Sequence, residues 1–309
     1  MTEIKISVVI PTIGHKENLN KSIKSVLKQT YQVAELIIVV DKMQNNTVSF
    51  INDVLNTYEG KIRIKAIYNE ISVGGSEARN IGIRNSSSEW IALLDDDDYW
   101  DSKKIENQVK KIKENNYLEA IYCSHFFRDN GSKKKLYPAN KYQDEIDLGY
   151  YLFGLKKGRG VGGIQTSSIL TTKKIFSEFE FTKGLIKHQD WDWILRTHYI
   201  GGYSIIQVNS PDVTYYILEN SQNNVSKVNR WRFSEQWIRS YKDIISKKAY
   251  SNFLQSMVIQ GIIDDSSMQL KEQLKEIKRI NKEITFESKV SIYNLRLFIR
   301  IMKSVIFRR

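Results

Sequence analysis

The first half of the chain alternates between two patterns of hydrophobic residues. Four short runs are β-branched and have apolar residues on both faces, which is typical of strands buried in a parallel sheet. The runs are KISVVIP (5–11), AELIIVV (34–40), KIRIKAIY (61–68) and EWIALL (89–94). Between them lie amphipathic stretches at 16–30, 45–58 and 76–86, in which apolar residues recur at helical spacing. This order predicts an α/β fold with a mostly parallel sheet, right-handed crossovers and helices on both faces.

The pattern becomes mixed after about residue 117. LEAIYCSHFF (118–127) and IQTSSILT (164–171) have the composition of strands, and HQDWDWILRTHYIGG (188–202) predicts a helix that ends at a glycine pair. From about residue 229 the chain is helical and rich in lysine, with no pattern that indicates a strand. We therefore expect a helical extension after the α/β part.

Polar residues follow three of the predicted strands at the points where those strands end. Thr12 follows the first strand, Asp41 the second, and Asp95–Asp98 the fourth. Ligands of parallel α/β sheets bind beyond the carboxyl ends of the strands. We therefore expect these side chains to converge on one site.

The stretch LLDDDDYW (93–100) places four consecutive carboxylates behind an apolar run. A hard divalent cation is the simplest way to neutralise them, and Mg²⁺ or Mn²⁺ usually binds one or two carboxylates together with substrate phosphates. The spaced ligands and central glycine of a calcium-binding EF-hand are missing. The alternative is an acidic helix N-terminus, since the stretch leads into a predicted helix, but capping accounts for only one or two of the acids.

Other sequence motifs for catalysis or phosphate binding are weak or absent. GRGVGG (158–163) matches GxGxxG, but the next residues predict a strand and not the helix that a dinucleotide motif opens, so we interpret it as a loop. No GxxxxGK[ST], GxSxG or zinc-spaced set is present, and the histidines at 15, 125, 188 and 198 have no metal-ligand spacing.

The net charge of +12 is concentrated in the C-terminal part of the chain. Residues 231–309 contain 16 Lys and Arg against 8 Asp and Glu, which favours contact with an anionic surface. The single cysteine, Cys123, excludes an internal disulfide, fits a reducing cytosol and lies in an apolar run typical of a buried thiol. No run reaches the roughly 20 apolar residues of a membrane-spanning helix, and we expect no signal peptide.

Five motifs, in this order, resemble those of the inverting glycosyltransferases of family 2, which have the GT-A fold. The motifs are SVVIPTIGHKENLNKSIKSVLKQTYQVAELIIVVD (7–41), GGSEARNIGI (74–83), LLDDDDYW (93–100), GGIQTSSIL (162–170) and HQDWDWILR (188–196). The resemblance covers residues 4–217. It implies a catalytic domain at 1–228, with a nucleotide-sugar half at 1–117 and an acceptor half at 118–228, followed by a basic helical region at 229–309.

The resemblance also implies a role for each site residue. Asp97 is the direct ligand of Mn²⁺ or Mg²⁺, and Asp95 and Asp96 contact the ribose or the water around the metal, with Asp95 also counted as a metal residue. Asp190 is the general base. The other implied contacts are with the nucleotide: Pro11, Thr12 and Ile13 line its pocket, Asp41 accepts a hydrogen bond from its base, and Arg79 reaches its base or diphosphate.

The implied reaction is a single displacement that inverts the sugar's configuration. Asp190 removes a proton from the acceptor hydroxyl, and no covalent nucleophile is required. The alternative for Asp190 is helix capping, and Asp192 is the less favoured base. Gln189 stands where the family usually has glutamate, Asp41 is followed by lysine and not by a second acid, and the segment 215–226 lacks the family's basic or histidine residue.

We expect the donor to be a nucleoside-diphosphate sugar, in particular a UDP-sugar. The acceptor is a glycan or lipid-linked oligosaccharide of a bacterial capsule, O-antigen or exopolysaccharide. The alternatives are a nucleotidyltransferase, which would more often carry a glycine-rich phosphate loop after the first strand, and an inactive glycan- or lipid-binding protein.

The last segment, 288–309, has six basic residues and no acid, with Arg296, Arg300 and Lys303 at helical spacing. This pattern predicts a helix in the interface of an anionic membrane, on the cytoplasmic face, as a peripheral contact. The alternative is packing on the catalytic domain or in a homodimer. No nucleic-acid-binding motif is present, and we expect no nucleic-acid partner.

Overall fold

The computed structural model describes residues 3–42, 45–58, 62–138, 140–143, 145–156, 159–160, 162–216, 229–290, 295, 297 and 299–300. Within it the chain forms two compact units, one of residues 1–141 and 164–220 and the other of residues 142–163 and 221–309. The strands are β1 (Ile6–Thr12), β2 (Glu35–Val40), β3 (Arg63–Tyr68), β4 (Trp90–Leu93), β5 (Tyr99–Trp100), β6 (Ile121–Asp129), β7 (Lys134–Tyr137), β8 (Leu155–Lys156), β9 (Arg159–Gly160), β10 (Ile169–Thr172) and β11 (Ile205–Tyr216).

The helices begin and end as follows. They are α1 (Lys16–Leu27), α2 (Asn45–Thr57), α3 (Gly75–Arg84), α4 (Lys104–Glu114), α5 (Leu148–Phe153), α6 (Lys173–Glu178), α7 (Gln189–Tyr199), α8 (Trp231–Arg239), α9 (Lys247–Phe253), α10 (Gln260–Asp264), α11 (Leu270–Asn281) and α12 (Phe286–Lys289). A 3-10 turn at Thr166–Ser168 precedes β10, and a π-helical segment at Leu254–Ile259 joins α9 to α10.

The first unit is built on one sheet with strand order β3-β2-β1-β4-β10-β6-β11-β5, and β7 pairs with β6. The pairs β3-β2, β2-β1 and β1-β4 are parallel, as the apolar runs predict. Beyond β4 the sheet is mixed, because β10 runs antiparallel to both β4 and β6 whereas β11 is parallel to β6. Helix α3 lies close to β1 because Gly82 has no Cβ, which would come 2.4 Å from a Val9 methyl carbon.

The predicted strands differ from the structure at several places. The short strands β5, β7, β8 and β9 were not predicted, and β3 is a partly buried edge strand and not a strand buried on both faces. The run at 164–171 is a strand only from Ile169, because its first part forms the 3-10 turn. Strand β11 was not predicted: its residues include Pro211, and its pairing with β6 shifts register on both sides of that proline. A proline in an apolar run ordinarily argues against a strand, and here the bulges accommodate it.

Among the described residues of the second unit, the strands are the short antiparallel pair β8-β9 and the remaining regular elements are helices. Phe153, Trp237 and Phe253 form an aromatic core, with ring centroids 5.0–6.3 Å apart. Around it, Glu235 is paired with Arg239 and Arg279, which ties α8 to α11. The helices predicted after residue 229 are thus present among the described residues, with no strand between 229 and 290.

Two predictions fall partly on residues outside the described part of the chain. Of GRGVGG, Gly158 and Val161 lie outside it. Arg159 and Gly160 form strand β9, so the loop prediction is wrong there, and the residues that follow open no helix before the 3-10 turn. Of the basic segment 288–309, only 288–290, 295, 297 and 299–300 are described. Cys123 is a free and fully buried thiol, as predicted.

Candidate active site

The four consecutive acids lie in a loop between β4 and β5, at the carboxyl end of the parallel strands. Helix α4 begins only at Lys104, with Lys103 at its N-cap, so the acids do not cap it. Three of the four carboxylates have a partner side chain from elsewhere in the chain. Asp95 accepts from Arg79 Nη2 at 2.6 Å, and Asp96 from Thr12 Oγ1 at 2.5 Å.

The other two acids, Asp97 and Asp98, differ sharply from each other. Asp98 is fully buried and accepts hydrogen bonds from Ser167 Oγ, at 2.5 Å, and from Gln165 Nε2. The Asp97 carboxylate has no hydrogen bond or ion pair to another side chain within the part of the chain that the structure describes. Asp97 is therefore the acid whose oxygens remain available to a ligand.

The acids raise one another's pKa values. Burial, opposed by the Thr12 hydrogen bond, raises the pKa of Asp96 to about 6. Burial and the charges of Asp95 and Asp96 raise the pKa of Asp97 to about 7, and burial raises that of Asp98 well above its usual range. A cation at this loop would relieve this repulsion.

Two buried serines fix the backbone of the acidic loop. Ser22 Oγ, from α1, donates to the carbonyl oxygens of Asp96 (2.9 Å) and Asp98 (2.7 Å). Ser167, from the turn before β10, accepts from the Asp95 N–H at 2.9 Å, and its carbonyl accepts from Trp100 Nε1 at 2.8 Å. The backbone of the loop is thus held from both sides, before and after Asp97.

The donor set of the loop fits a hard divalent cation. Asp95 and Asp97 offer carboxylate oxygens, which Mg²⁺ and Mn²⁺ prefer. Among the described residues no three His, Cys, Asp or Glu side chains converge closely enough to hold an ion by themselves. The two carboxylates fit a cation that takes its other ligands from substrate phosphates.

Asp41 organises the loop that leads into α3. Its carboxylate accepts from Ser72 Oγ (2.6 Å) and from the backbone N–H groups of Val73 (2.8 Å) and Gly74 (3.0 Å). Gly74 has φ = 81°, which favours glycine, and this conformation turns its N–H toward Asp41. The structure places Asp41 in contact with this loop and not with the acids after β4.

Pro11 and Ile13 flank Thr12 at the end of β1. Pro11 is buried within the strand and opposite Val39, whereas Ile13 is 53% exposed beyond the strand end. Thr12 is buried, and its hydroxyl oxygen also accepts from the Gly14 N–H at 2.9 Å. Of the three residues, Thr12 contacts the acidic loop directly.

Arg79 connects the acidic loop with the start of α7. Its Nη2 donates to Asp95 and its Nη1 donates to Gln189 Oε1 at 2.8 Å. The guanidinium also lies over the Phe181 ring, 5.6 Å from the centroid. The amide at position 189 therefore serves as a neutral acceptor for Arg79, in the position next to Asp190.

Asp190 and Asp192, both in the first turn of α7, have different surroundings. Burial raises the pKa of Asp190 to about 6; the Trp191 N–H and Arg79 oppose this rise, and Asp95 adds to it. Asp192 is occupied by a 2.6 Å hydrogen bond from Thr182 Oγ1 and a 3.0 Å contact with Arg196 Nε. A proton acceptor with a pKa near neutrality suits Asp190, whereas Asp192 holds the helix in place.

Sequence reasoning found the acids, Arg79 and Asp190, and missed the residues that hold them. Ser22, Gln165 and Ser167 were not singled out, and Asp98 was not separated from its neighbours. Each contacts the acidic loop from a distant part of the chain, so no local pattern marks it. The one available signal was the polar TSS sequence at the start of an otherwise apolar strand run.

Comparisons with known proteins agree with this architecture. Residues 7–179 match the family model described as glycosyl transferase family 2. The chain is 26% identical over 264 residues, 81% of its length and 84% of the relative's, to the amylovoran biosynthesis glycosyltransferase AmsB of Erwinia amylovora. It is 32% identical over 132 residues to the Escherichia coli UDP-Glc:alpha-D-GlcNAc-diphosphoundecaprenol beta-1,3-glucosyltransferase WfgD, a match that spans 43% of this chain and half of the relative.

Solved structures share the fold at low sequence identity. S. aureus TarS 1–349 in complex with UDP-GlcNAc has a TM-score of 0.67 and 13% identity, covering 97% of this chain and 89% of that one. Mannosyltransferase PcManGT from Pyrobaculum calidifontis, in complex with GDP-Man and Mn²⁺, has a TM-score of 0.57 and 11% identity over 99% of this chain and 88% of that one. The GT-A fold predicted from the sequence is confirmed. Since the family model covers more than half of its length, the chain belongs to glycosyl transferase family 2 and is a glycosyltransferase.

Proposed function

We propose that this glycosyltransferase uses Mn²⁺ or Mg²⁺ and transfers a sugar, with inversion, from a UDP-sugar to a hydroxyl of a glycan or lipid-linked acceptor. The observation that carries the proposal is the division of roles among the four acids. Asp95, Asp96 and Asp98 are engaged by Arg79, Thr12 and Ser167, which leaves Asp97 available for a cation.

Residues of the acidic loop and of the strand ends around it would bind the donor. Asp97, with Asp95 beside it, would hold the cation, which when bound offsets the charge that builds on the departing diphosphate. Arg79 would add a permanent positive charge at the same loop. Pro11, Thr12, Ile13 and Asp41 would bind the nucleoside, and Asp96 its ribose.

Asp190 would accept the proton of the acceptor hydroxyl. Its burial and pKa of about 6 support this role, because a base near neutrality is ionised at physiological pH and still accepts protons effectively. The Arg79–Gln189 contact would hold the first turn of α7 next to the acidic loop, where the donor would bind. The neighbouring Asp192 is committed to Thr182 and Arg196, which supports the choice of Asp190.

The names of the relatives suggest the biological setting. AmsB is named for amylovoran biosynthesis, and WfgD for glucosyl transfer to a diphosphoundecaprenol-linked sugar. We infer that this chain builds a bacterial surface polysaccharide, from a cytoplasmic donor, on an acceptor held at the membrane. Among the described residues no helix is long and apolar enough to cross a bilayer. A peripheral contact through 288–309 remains our prediction, as does the possibility of a homodimer.

A donor screen tests the proposal. A panel of UDP-, GDP- and dTDP-sugars would be assayed for thermal stabilisation and for slow hydrolysis, with Mn²⁺, with Mg²⁺ and with EDTA. We expect a UDP-sugar to stabilise and be hydrolysed only with a cation present. Equal stabilisation and hydrolysis in EDTA would refute the metal-dependent mechanism, and preference for another nucleotide would correct the donor.

A further inference from the structure

Helix α11 of the second unit presents a continuous line of lysines to solvent. Lys271, Lys275, Lys278 and Lys282, which we call the lysine row, are all exposed. Their spacing of four, three and four residues places them on one side of the helix. The buried residues of α11, Gln273, Ile277 and Ile280, lie on the opposite side.

The acids of α11 do not neutralise the lysine row. Glu272 closes the helix's N-terminal capping box with Gln269, and Glu276 pairs with Arg279 at 2.7 Å. Within the described part of the chain none of the four lysines forms an ion pair. Consecutive lysines three and four residues apart repel one another and weaken an isolated helix. Lysines that have no ion-pair partner on their own helix therefore favour binding to an anionic partner.

One apolar side chain is exposed next to the lysine row, and two more are exposed shortly after the row in the sequence. Leu274 lies between the first two lysines and is 41% exposed, while Phe286 and Val290 at α12 are 79% and 69% exposed. The exposed Lys289 lies between these last two residues. Lysines that flank exposed aromatic and aliphatic residues are typical of helices that bind the interface of an anionic bilayer, since the apolar groups enter the headgroup layer and the cations meet lipid phosphates.

We propose that the lysine row, with Leu274, Phe286 and Val290, is a docking surface for an anionic lipid bilayer. The proposal rests on the proposed function, in which the acceptor is lipid-linked, and assigns the membrane contact to α11 and α12 and not to the basic segment 288–309 alone. Each lysine near an anionic surface strengthens binding by about fivefold. Loss of two lysines should therefore weaken binding by about 30-fold.

The test uses the full chain and vesicles of phosphatidylcholine, with or without phosphatidylglycerol, in a co-sedimentation assay. The variant Lys275→Gln/Lys278→Gln is compared with Lys110→Gln/Lys113→Gln, a pair of exposed lysines with the same spacing on α4. We expect wild type and the α4 variant to bind phosphatidylglycerol vesicles equally, and the α11 variant to bind about 30-fold more weakly. Phe286→Ser should reduce the binding that persists at high salt.

The outcomes distinguish this surface from the catalytic proposal. Metal-dependent donor hydrolysis should be the same in all variants, because the lysine row holds no residue of the candidate site. If the α11 variant binds vesicles as tightly as the α4 variant, or if wild type binds neutral vesicles equally well, the docking proposal is wrong even though donor hydrolysis persists. Binding of RNA but not of vesicles by the lysine row would also overturn it. Row-dependent vesicle binding without donor hydrolysis would refute the proposed function and leave the docking surface standing.

Discussion

Replacing Asp190 with asparagine should make the protein more stable while removing its activity. The half-buried Asp190 carboxyl has a pKa of about 6, against 3.8 for an exposed aspartate. Keeping this group ionised at pH 7 therefore costs roughly 3 kcal/mol of folding free energy, at about 1.4 kcal/mol per pKa unit. Asparagine has nearly the same shape and no charge, so Asp190→Asn should recover up to about that amount, and turnover should fall by roughly 10²-fold or more.

The dependence on pH identifies the cause. A raised carboxyl pKa means that the folded protein holds this proton up to about pH 6, whereas the unfolded chain releases it near 3.8. The wild-type protein therefore loses stability through Asp190 as pH rises from about 3.8 to about 6. The difference in free energy of unfolding between Asp190→Asn and wild type should be largest at pH 7.5 and should vanish by about pH 4. Chemical denaturation at several pH values, in EDTA and without nucleotide, measures this difference.

Asp192→Asn is the matched control, two residues along the same helix. Its carboxylate accepts from Thr182 Oγ1 and Arg196 Nε, so losing its charge should destabilise the protein by about 1.5–3 kcal/mol. A variant Asp190→Asn that is less stable than wild type at pH 7.5, or equally active, would refute the reasoning for Asp190.

Three further predictions concern the acidic loop and the core. Asp97→Ala should leave the fold intact and abolish the Mn²⁺-dependent part of UDP binding, measured by calorimetry; unchanged binding would count against the metal role. Ser167→Ala should raise the Mn²⁺ concentration for half-maximal activity by roughly 5–10-fold, because the Asp95 N–H loses its acceptor and Asp98 loses one of its two donors. The equally buried Ser168 is the control, and Ser168→Ala should lower only Tm. Lys104 is fully buried, and burial holds its pKa well below 10.5, so the stability of the wild-type protein should rise with pH. Lys104→Met should be more stable than wild type at pH 7, and this difference in stability should narrow toward pH 10. A gap that stays constant with pH would contradict the explanation for Lys104.

The parallel part of the fold was predictable because its signal is local. Strands β1, β2 and β4 are buried on both faces, so their sequences are almost continuously apolar, whereas the edge strand β3 is only partly buried and contains Arg63 and Lys65. The same pattern places Asp41 and Asp95–Asp98 at strand ends, where parallel sheets bind ligands. Strand β11 escaped prediction because Asn209, Ser210 and Pro211 interrupt its apolar pattern, and only the bulged pairing with β6 makes those residues part of the sheet.

The environment of the site residues was not predictable from the sequence. Four identical aspartates in a row have four different surroundings, which are set by Arg79, Thr12, Ser22 and Ser167. These partners lie up to 84 residues away along the chain, as Thr12 does from Asp96. Electrostatic differences such as the raised pKa of the half-buried Asp190 arise from packing that no spacing rule encodes.

The stereochemistry of the product tests the central claim most directly. The UDP-sugar that turns over fastest would be supplied with an acceptor, and NMR would follow the anomeric configuration of the new glycosidic bond, with Mn²⁺ and with EDTA. A single displacement with Asp190 as base predicts a product of inverted configuration, formed only when the cation is present. A product of retained configuration, or equal transfer in EDTA, would contradict the account.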